Sequence, residues 1–274
     1  MTAIINPLGA ELISLKNSNN REYIWEGNPE FWGKHSPVLF PIVGCLKKDK
    51  YCYKGNSYSL PRHGFANKME FNIIEKSSEN VVFSGTNNTE TLENYPFKFE
   101  LQISYTLVNS SLRIGYKVIN ANDFEMPFSI GAHPGFALRN EFENYALEFE
   151  KSEILICSQL ENDLISNETI SLPMKENRLP LSYSLFENDA LIFKKLESKT
   201  ITISENNVPF LKVKFEGFPS LGIWTKPKAP YICIEPWYGY ADTMTNSGEL
   251  SEKEGIQIIG IDEQFKSEYS IEIL

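Results

Sequence analysis

A large antiparallel β-sandwich is the fold class that this sequence predicts, and three observations carry the prediction. Apolar residues alternate with polar ones along most of the chain, and turn residues break that alternation at short intervals. The third is aromatic content: 18 Phe and 13 Tyr supply bulk suited to pleated surfaces packed face to face.

Taken in chain order, the first clear hairpin spans 51–60 around the turn Lys54-Gly55-Asn56, and a short strand follows at 70–74. The strongest alternation comes next: Phe99, Leu101, Ile103, Tyr105 and Leu107, a turn at Asn109-Ser110, then Leu112, Ile114, Tyr116 and Val118. That pattern predicts a long hairpin. Further strands are expected at 146–150, 200–204 and 210–215, while 162–170 and 186–193 are read as short helices at most. In 231–239, strand periodicity places Tyr231, Cys233, Glu235 and Trp237 on one face, with Pro236 expected to end the strand at a cleft edge.

With 274 residues and 42% hydrophobic content, the chain can bury one continuous core without help from a metal or disulfide. Sandwiches of this length form single units, and no linker-like stretch divides the sequence, so residues 1–274 are expected to form one domain. The 36 acidic and 26 basic residues are dispersed, giving a net charge of -10 that favours solubility and argues against nucleic acid as a partner. The most basic run, Lys47-Lys48-Asp49-Lys50, reads as a solvated turn. The start Met-Thr-Ala-Ile-Ile-Asn-Pro lacks the charged and apolar regions of a signal peptide, and no run of about 18 apolar residues occurs, so an unexported, cytoplasmic protein off the membrane is expected. Cys45, Cys52, Cys157 and Cys233 lack metal-type spacing and read as free core thiols.

Two of the three histidines stand in related contexts, Pro61-Arg62-His63-Gly64-Phe65-Ala66 and Gly131-Ala132-His133-Pro134-Gly135-Phe136. Gly and Pro beside each imidazole interrupt a sheet ladder and let the ring project into a cleft. Either ring alone also fits a structural role, bonded to a turn carbonyl; two such segments point to a site. His35 reads as structural. Glu235 is an acid among apolar and aromatic neighbours, so it is expected to be ion-paired, with Arg62 or Lys226 as the available cations, hydrogen-bonded, or catalytic.

Together with Val38-Leu39-Phe40-Pro41-Ile42-Val43-Gly44 and Ile234-Glu235-Pro236-Trp237, these segments resemble, in order and wide spacing, the aldose 1-epimerase (galactose mutarotase-like) family, in its LacX-type branch. The resemblance covers essentially the whole chain and implies the galactose mutarotase-like supersandwich fold. It implies Glu235 as general base, His133 as general acid and His63 as a second histidine near the ring oxygen of a small-molecule sugar. It implies no metal and no organic cofactor. Asp189 falls where a hydroxyl-binding acid is expected, with a loop or helix-cap role as the alternative. Arg62 is expected at a sugar hydroxyl or beside Glu235, and Trp237 and Phe40 are expected either to form an apolar wall or to pack in the core.

These residue types suit the reaction. A hemiacetal opens when its anomeric hydroxyl loses a proton and its ring oxygen gains one, so one base and one acid suffice. Where family members acting on hexose 6-phosphates tend to carry Arg after His-Gly-Phe-Ala, this chain has Asn67, which favours a free hexose, while Lys68 beside it partly compensates for the missing arginine. Competing readings are a non-catalytic carbohydrate-binding or sensing protein, a hexose-6-phosphate mutarotase, and a glycoside hydrolase using Glu235 with a second carboxylate. A metal site is the least favoured, since no ligand pair has short helical spacing. Monomer and homodimer are both open.

Overall fold

The computed structural model describes residues 1–274. Two antiparallel sheets dominate. The larger has nine strands in the spatial order Arg178–Pro180, Tyr145–Phe149, Thr200–Glu205, Val208–Lys214, Gln264–Ile273, Ser111–Asn120, Phe99–Val108, Asn80–Thr86 and Asn72–Lys76. The second runs Leu164–Ser171, Ile156–Glu161, Leu191–Phe193, Ser220–Trp224, Tyr231–Tyr238, Ile130–Ala132 and Val38–Leu39, with Gly135–Ala137 as an eighth strand also paired to Tyr231–Tyr238.

The predicted long hairpin is Phe99–Val108 paired with Ser111–Asn120, in register from Phe99 opposite Asn120 to Val108 opposite Ser111. Its alternation sends Leu101, Ile103, Tyr105, Leu112, Ile114, Tyr116 and Val118 into a core of 59 buried residues between the sheets. Leu221, Ile223, Ile232 and Ile234 enter that core from the other sheet. The hairpin predicted at 51–60 is Lys50–Tyr53 with Asn56–Ser59, turning at Lys54 and Gly55, both in the left-handed region.

Several expectations fail for identifiable reasons. The stretch 162–170 is no helix. Leu164–Ser171 is a strand hairpinned onto Ile156–Glu161 through Asn162 and Asp163, both at positive φ, and such a turn selects antiparallel pairing over a helical start. In 186–193 a 3₁₀ turn at Tyr183–Phe186 gives way to Leu191–Phe193, whose apolar residues fill a central position in the eight-stranded sheet. The one α-helix, Thr89–Asn94, was not foreseen; Asn88 caps it, accepting from the Thr91 N–H while the Thr91 hydroxyl accepts from the Asn88 N–H. Pro236 does not end its strand: Tyr231–Tyr238 continues through it, opposite Leu221. Cys52 is exposed, whereas the other three free thiols are buried. No helix is long and apolar enough to cross a membrane.

Candidate active site

The strand Tyr231–Tyr238 is hydrogen-bonded on both sides, by Ser220–Trp224 and by the pair Ile130–Ala132 and Gly135–Ala137. Its even-numbered Ile232 and Ile234 enter the main core, while Glu235 and Trp237 face a cavity on the other side of the sheet. The expected shared face is therefore real, and its Tyr231 and Cys233 end packs with Trp25 and Ala229. His133 and Pro134 fill the gap between the two short partner strands, so the imidazole leaves the ladder and turns toward Glu235. His133 Nε2 lies 3.3 Å from Glu235 Oε2.

A different device presents His63. Its φ of 66° is in the left-handed region, unusual for a side chain with a Cβ. The His63 N–H donates to the Gly44 carbonyl at 2.9 Å, and the Gly44 N–H donates back to His63 Nδ1 at 3.1 Å. Because Nδ1 accepts, the proton of the neutral ring sits on Nε2. Gly64 follows with φ 70°, where a Cβ would stand 2.3 Å from the Phe40 carbonyl oxygen, so only glycine allows this crossing. The His63 and His133 rings meet edge to face at 5.7 Å. Three residues more than a hundred positions apart at the extremes thus converge on one place.

Burial governs the electrostatics. Desolvation pushes the Glu235 carboxyl well above its ordinary range, with Asp189 adding to the effect and Trp237 opposing it. Desolvation lowers His133, and the neighbouring His63 lowers it further. His63 is pushed down to about 3, by burial first and then by Arg62 and Lys34. Burial therefore favours the uncharged form of each, a protonated Glu235 facing a neutral His133.

The cavity holds about 400 Å³, within the range of small-molecule sites. Among its lining residues are His63, His133, Glu235, Arg62, Asp189 and Trp237. Arg62 is ion-paired with Asp163 and stands 3.9 Å from Asp189, and its Nε donates to Cys45 Sγ at 3.1 Å. It does not pair with Glu235, and Lys226 instead donates to the Phe31 carbonyl. Asp189, at φ 76°, caps no helix and sits in the turn before Leu191–Phe193. Phe40 corrects the expectation of a wall: it is fully buried among Phe65, Tyr95, Phe99 and Phe128, and contributes its backbone to the seating of 63–66. His35 is structural, its Nδ1 2.7 Å from the Trp25 carbonyl oxygen.

Sequence reasoning missed Trp32, Trp224 and Asp163, all on the cavity wall. None lies in a motif; Trp224 becomes visible once Ser220–Trp224 is paired with the Glu235 strand, which puts it opposite Cys233. Cys233, Glu235 and His133 bring three metal-type donor atoms within 4.8 Å of one another, a grouping hidden in the sequence because the third comes from another strand. A buried ion pair backs the rim: Lys253 Nζ is 3.0 Å from Asp242 Oδ1, and Asp242 Oδ2 accepts from the Lys47 N–H at 2.9 Å.

An antiparallel double sheet carrying an imidazole and a carboxylic acid on a sugar-sized cavity defines a protein of the galactose mutarotase-like class. The chain belongs to the aldose 1-epimerase family, whose model matches residues 1–256. It is 36% identical over 293 residues to the chromosomally encoded protein LacX of Lactococcus lactis subsp. lactis, covering 100% of this chain and 97% of that one. A galactose mutarotase related enzyme from Lactobacillus acidophilus superposes with a TM-score of 0.94 at 35% identity, over 99% of this chain and 94% of that one. A galactose mutarotase-like protein from Lactobacillus casei gives a TM-score of 0.94 at 30% identity, over 99% and 96% respectively.

Proposed function

We propose that this chain is a mutarotase that interconverts the α and β anomers of a free hexose. The observation that carries the reading is the contact of His133 Nε2 with Glu235 Oε2 at 3.3 Å beside the cavity. The anomeric hydroxyl and the ring oxygen of a pyranose are bonded to the same carbon, so the base and acid that serve them must be neighbours. Glu235 first passes its proton to His133 Nε2. As a carboxylate it then takes the proton of the anomeric hydroxyl while the imidazolium delivers one to the ring oxygen, and the bond between that oxygen and the anomeric carbon breaks, leaving Glu235 protonated and His133 neutral again. The aldehyde rotates, exposes its other face and recloses as both proton movements reverse. Nothing is consumed, so no covalent nucleophile or water is needed. His63, neutral with its proton on Nε2, acts as a fixed donor to the ring-oxygen side.

Polarimetry on freshly dissolved α-glucose and α-galactose tests this, with the expected result a rate well above buffer. No acceleration for any aldose, with saturable sugar binding by calorimetry, would replace it with a non-catalytic binding protein. One further observation favours a second substrate reading: Lys34 and Lys68 line the cavity without an ion-pair partner, as a phosphorylated hexose would require. Glucose and glucose 6-phosphate compared at matched concentration discriminate the two.

A further inference from the structure

A catalytic histidine is ordinarily held in plane by a hydrogen bond on the nitrogen that does not do the chemistry. His133 has no such bond: its Nδ1 is buried and meets no acceptor of the protein. Aromatic rings surround it instead. Trp32 stacks on the imidazole with centroids 4.8 Å apart and planes inclined by 29°, and Trp224 meets it edge-on at 5.7 Å.

Trp32 is itself held. It also stacks on Tyr231 at 5.6 Å and 29°, and Tyr231 in turn lies 4.8 Å from Trp25, so four rings form a run from a buried cluster to the acid. The Trp32 carbonyl accepts from Trp25 Nε1 at 2.8 Å, and its N–H donates to the Asn28 carbonyl at 2.9 Å. Gly135, two residues past His133, leaves the room required: a Cβ there would stand 3.0 Å from the Trp32 ring and 3.1 Å from Trp25 Cβ. With its ring already stacked on two others, Trp32 is not a free platform for a sugar.

We infer that Trp32 is a positioning residue for His133, fixing by ring stacking the imidazole plane that a hydrogen bond fixes elsewhere. The face of an indole also attracts a cation, so the stack favours the imidazolium that has to deliver its proton to the ring oxygen. The inference rests on the acid role given to His133 under the mutarotase reading, and it explains the glycine of the His133-Pro134-Gly135 segment as space for the tryptophan.

The test compares Trp32→Phe and Trp32→Leu in the full chain, each confirmed as folded by its unfolding midpoint. Trp32→Leu is expected to lower kcat by about 10–100-fold while KM stays within about threefold, the signature of a misplaced group and not of lost sugar binding. Trp32→Phe, which keeps a stacking ring, is expected to recover most of that loss. In sugar-free protein, the His133 ring resonances, assigned by their disappearance in His133→Asn, are expected to be single and ring-current shifted in wild type and Trp32→Phe, and broadened or split in Trp32→Leu. Unchanged kcat in Trp32→Leu, equal damage in both variants, a loss confined to KM, or His133 resonances unaffected by Trp32→Leu would each overturn the inference. If wild type turns over no sugar, the functional reading falls and the resonances alone decide the role of Trp32.

Discussion

The two large sheets of this protein obey different rules. In the nine-stranded sheet the central hairpin buries one face and leaves the other partly exposed, so each strand alternates cleanly. In the eight-stranded sheet the strand Tyr231–Tyr238 is buried from Tyr231 to Trp237, with the core on one face and the cavity side on the other. The buried face of the central hairpin in the first sheet is apolar; the second sheet must also accommodate Glu235 and His133, whose charged forms burial opposes. Both layers feed the shared core, but the candidate acid and base sit on the second alone.

The largest test of that division is Glu235→Gln, which should cut mutarotation by about 10²–10⁴-fold without lowering the unfolding midpoint, because a buried titratable acid contributes little to folding. Polarimetry beside urea unfolding checks both halves. The reverse outcome is expected from Ile103→Ala in the other sheet: a loss of about 2–5 kcal/mol by urea denaturation, with activity per folded molecule retained.

An acid titration sharpens the contrast. His63 is held down to about 3 when folded against an ordinary value of 6.5, so as pH falls through that interval the unfolded chain takes up the proton first and stability declines. His133 acts with the same sign. His63→Asn should therefore flatten the acid limb of urea midpoints between about pH 6.5 and 4, by an amount moderated by the opening of this ring to the cavity. The smallest effect is expected at the half-exposed pair Lys214 and Glu272 on the nine-stranded sheet, 2.7 Å apart, where Lys214→Met should change stability by less than about 1 kcal/mol.

What was legible in the sequence follows the same division. The hairpin 99–118 could be read outright because one-sided burial writes a period of two into the residues. Leu164–Ser171 could not, since it is exposed along most of its length and so lacks one-sided burial to write a period, and Leu191–Phe193 could not, since three residues buried throughout carry no period at all. At the candidate site, Glu235, His63 and His133 stood out because an acid among apolar residues and imidazoles flanked by Gly and Pro are locally odd. Trp32, Trp224 and Asp163 are locally ordinary: strand pairing brings Trp224 to the cavity, and a loop and a hairpin turn bring Trp32 and Asp163. Phe40 misled for the opposite reason: its motif is near the site, but its side chain points into the core.

The Asp242 and Lys253 pair stitches together pieces of chain remote from one another. Through Asp242 the amides of Lys47 and Ile165 are bonded at 2.9 and 2.8 Å, and its own amide reaches the Cys45 carbonyl at 2.8 Å. A rim fastened in this way has no separate melting step, so those amides should exchange with deuterium only when the whole molecule opens. If the mutarotase reading holds, this wall supplies no hinge, and the pace of turnover is not set by its movement.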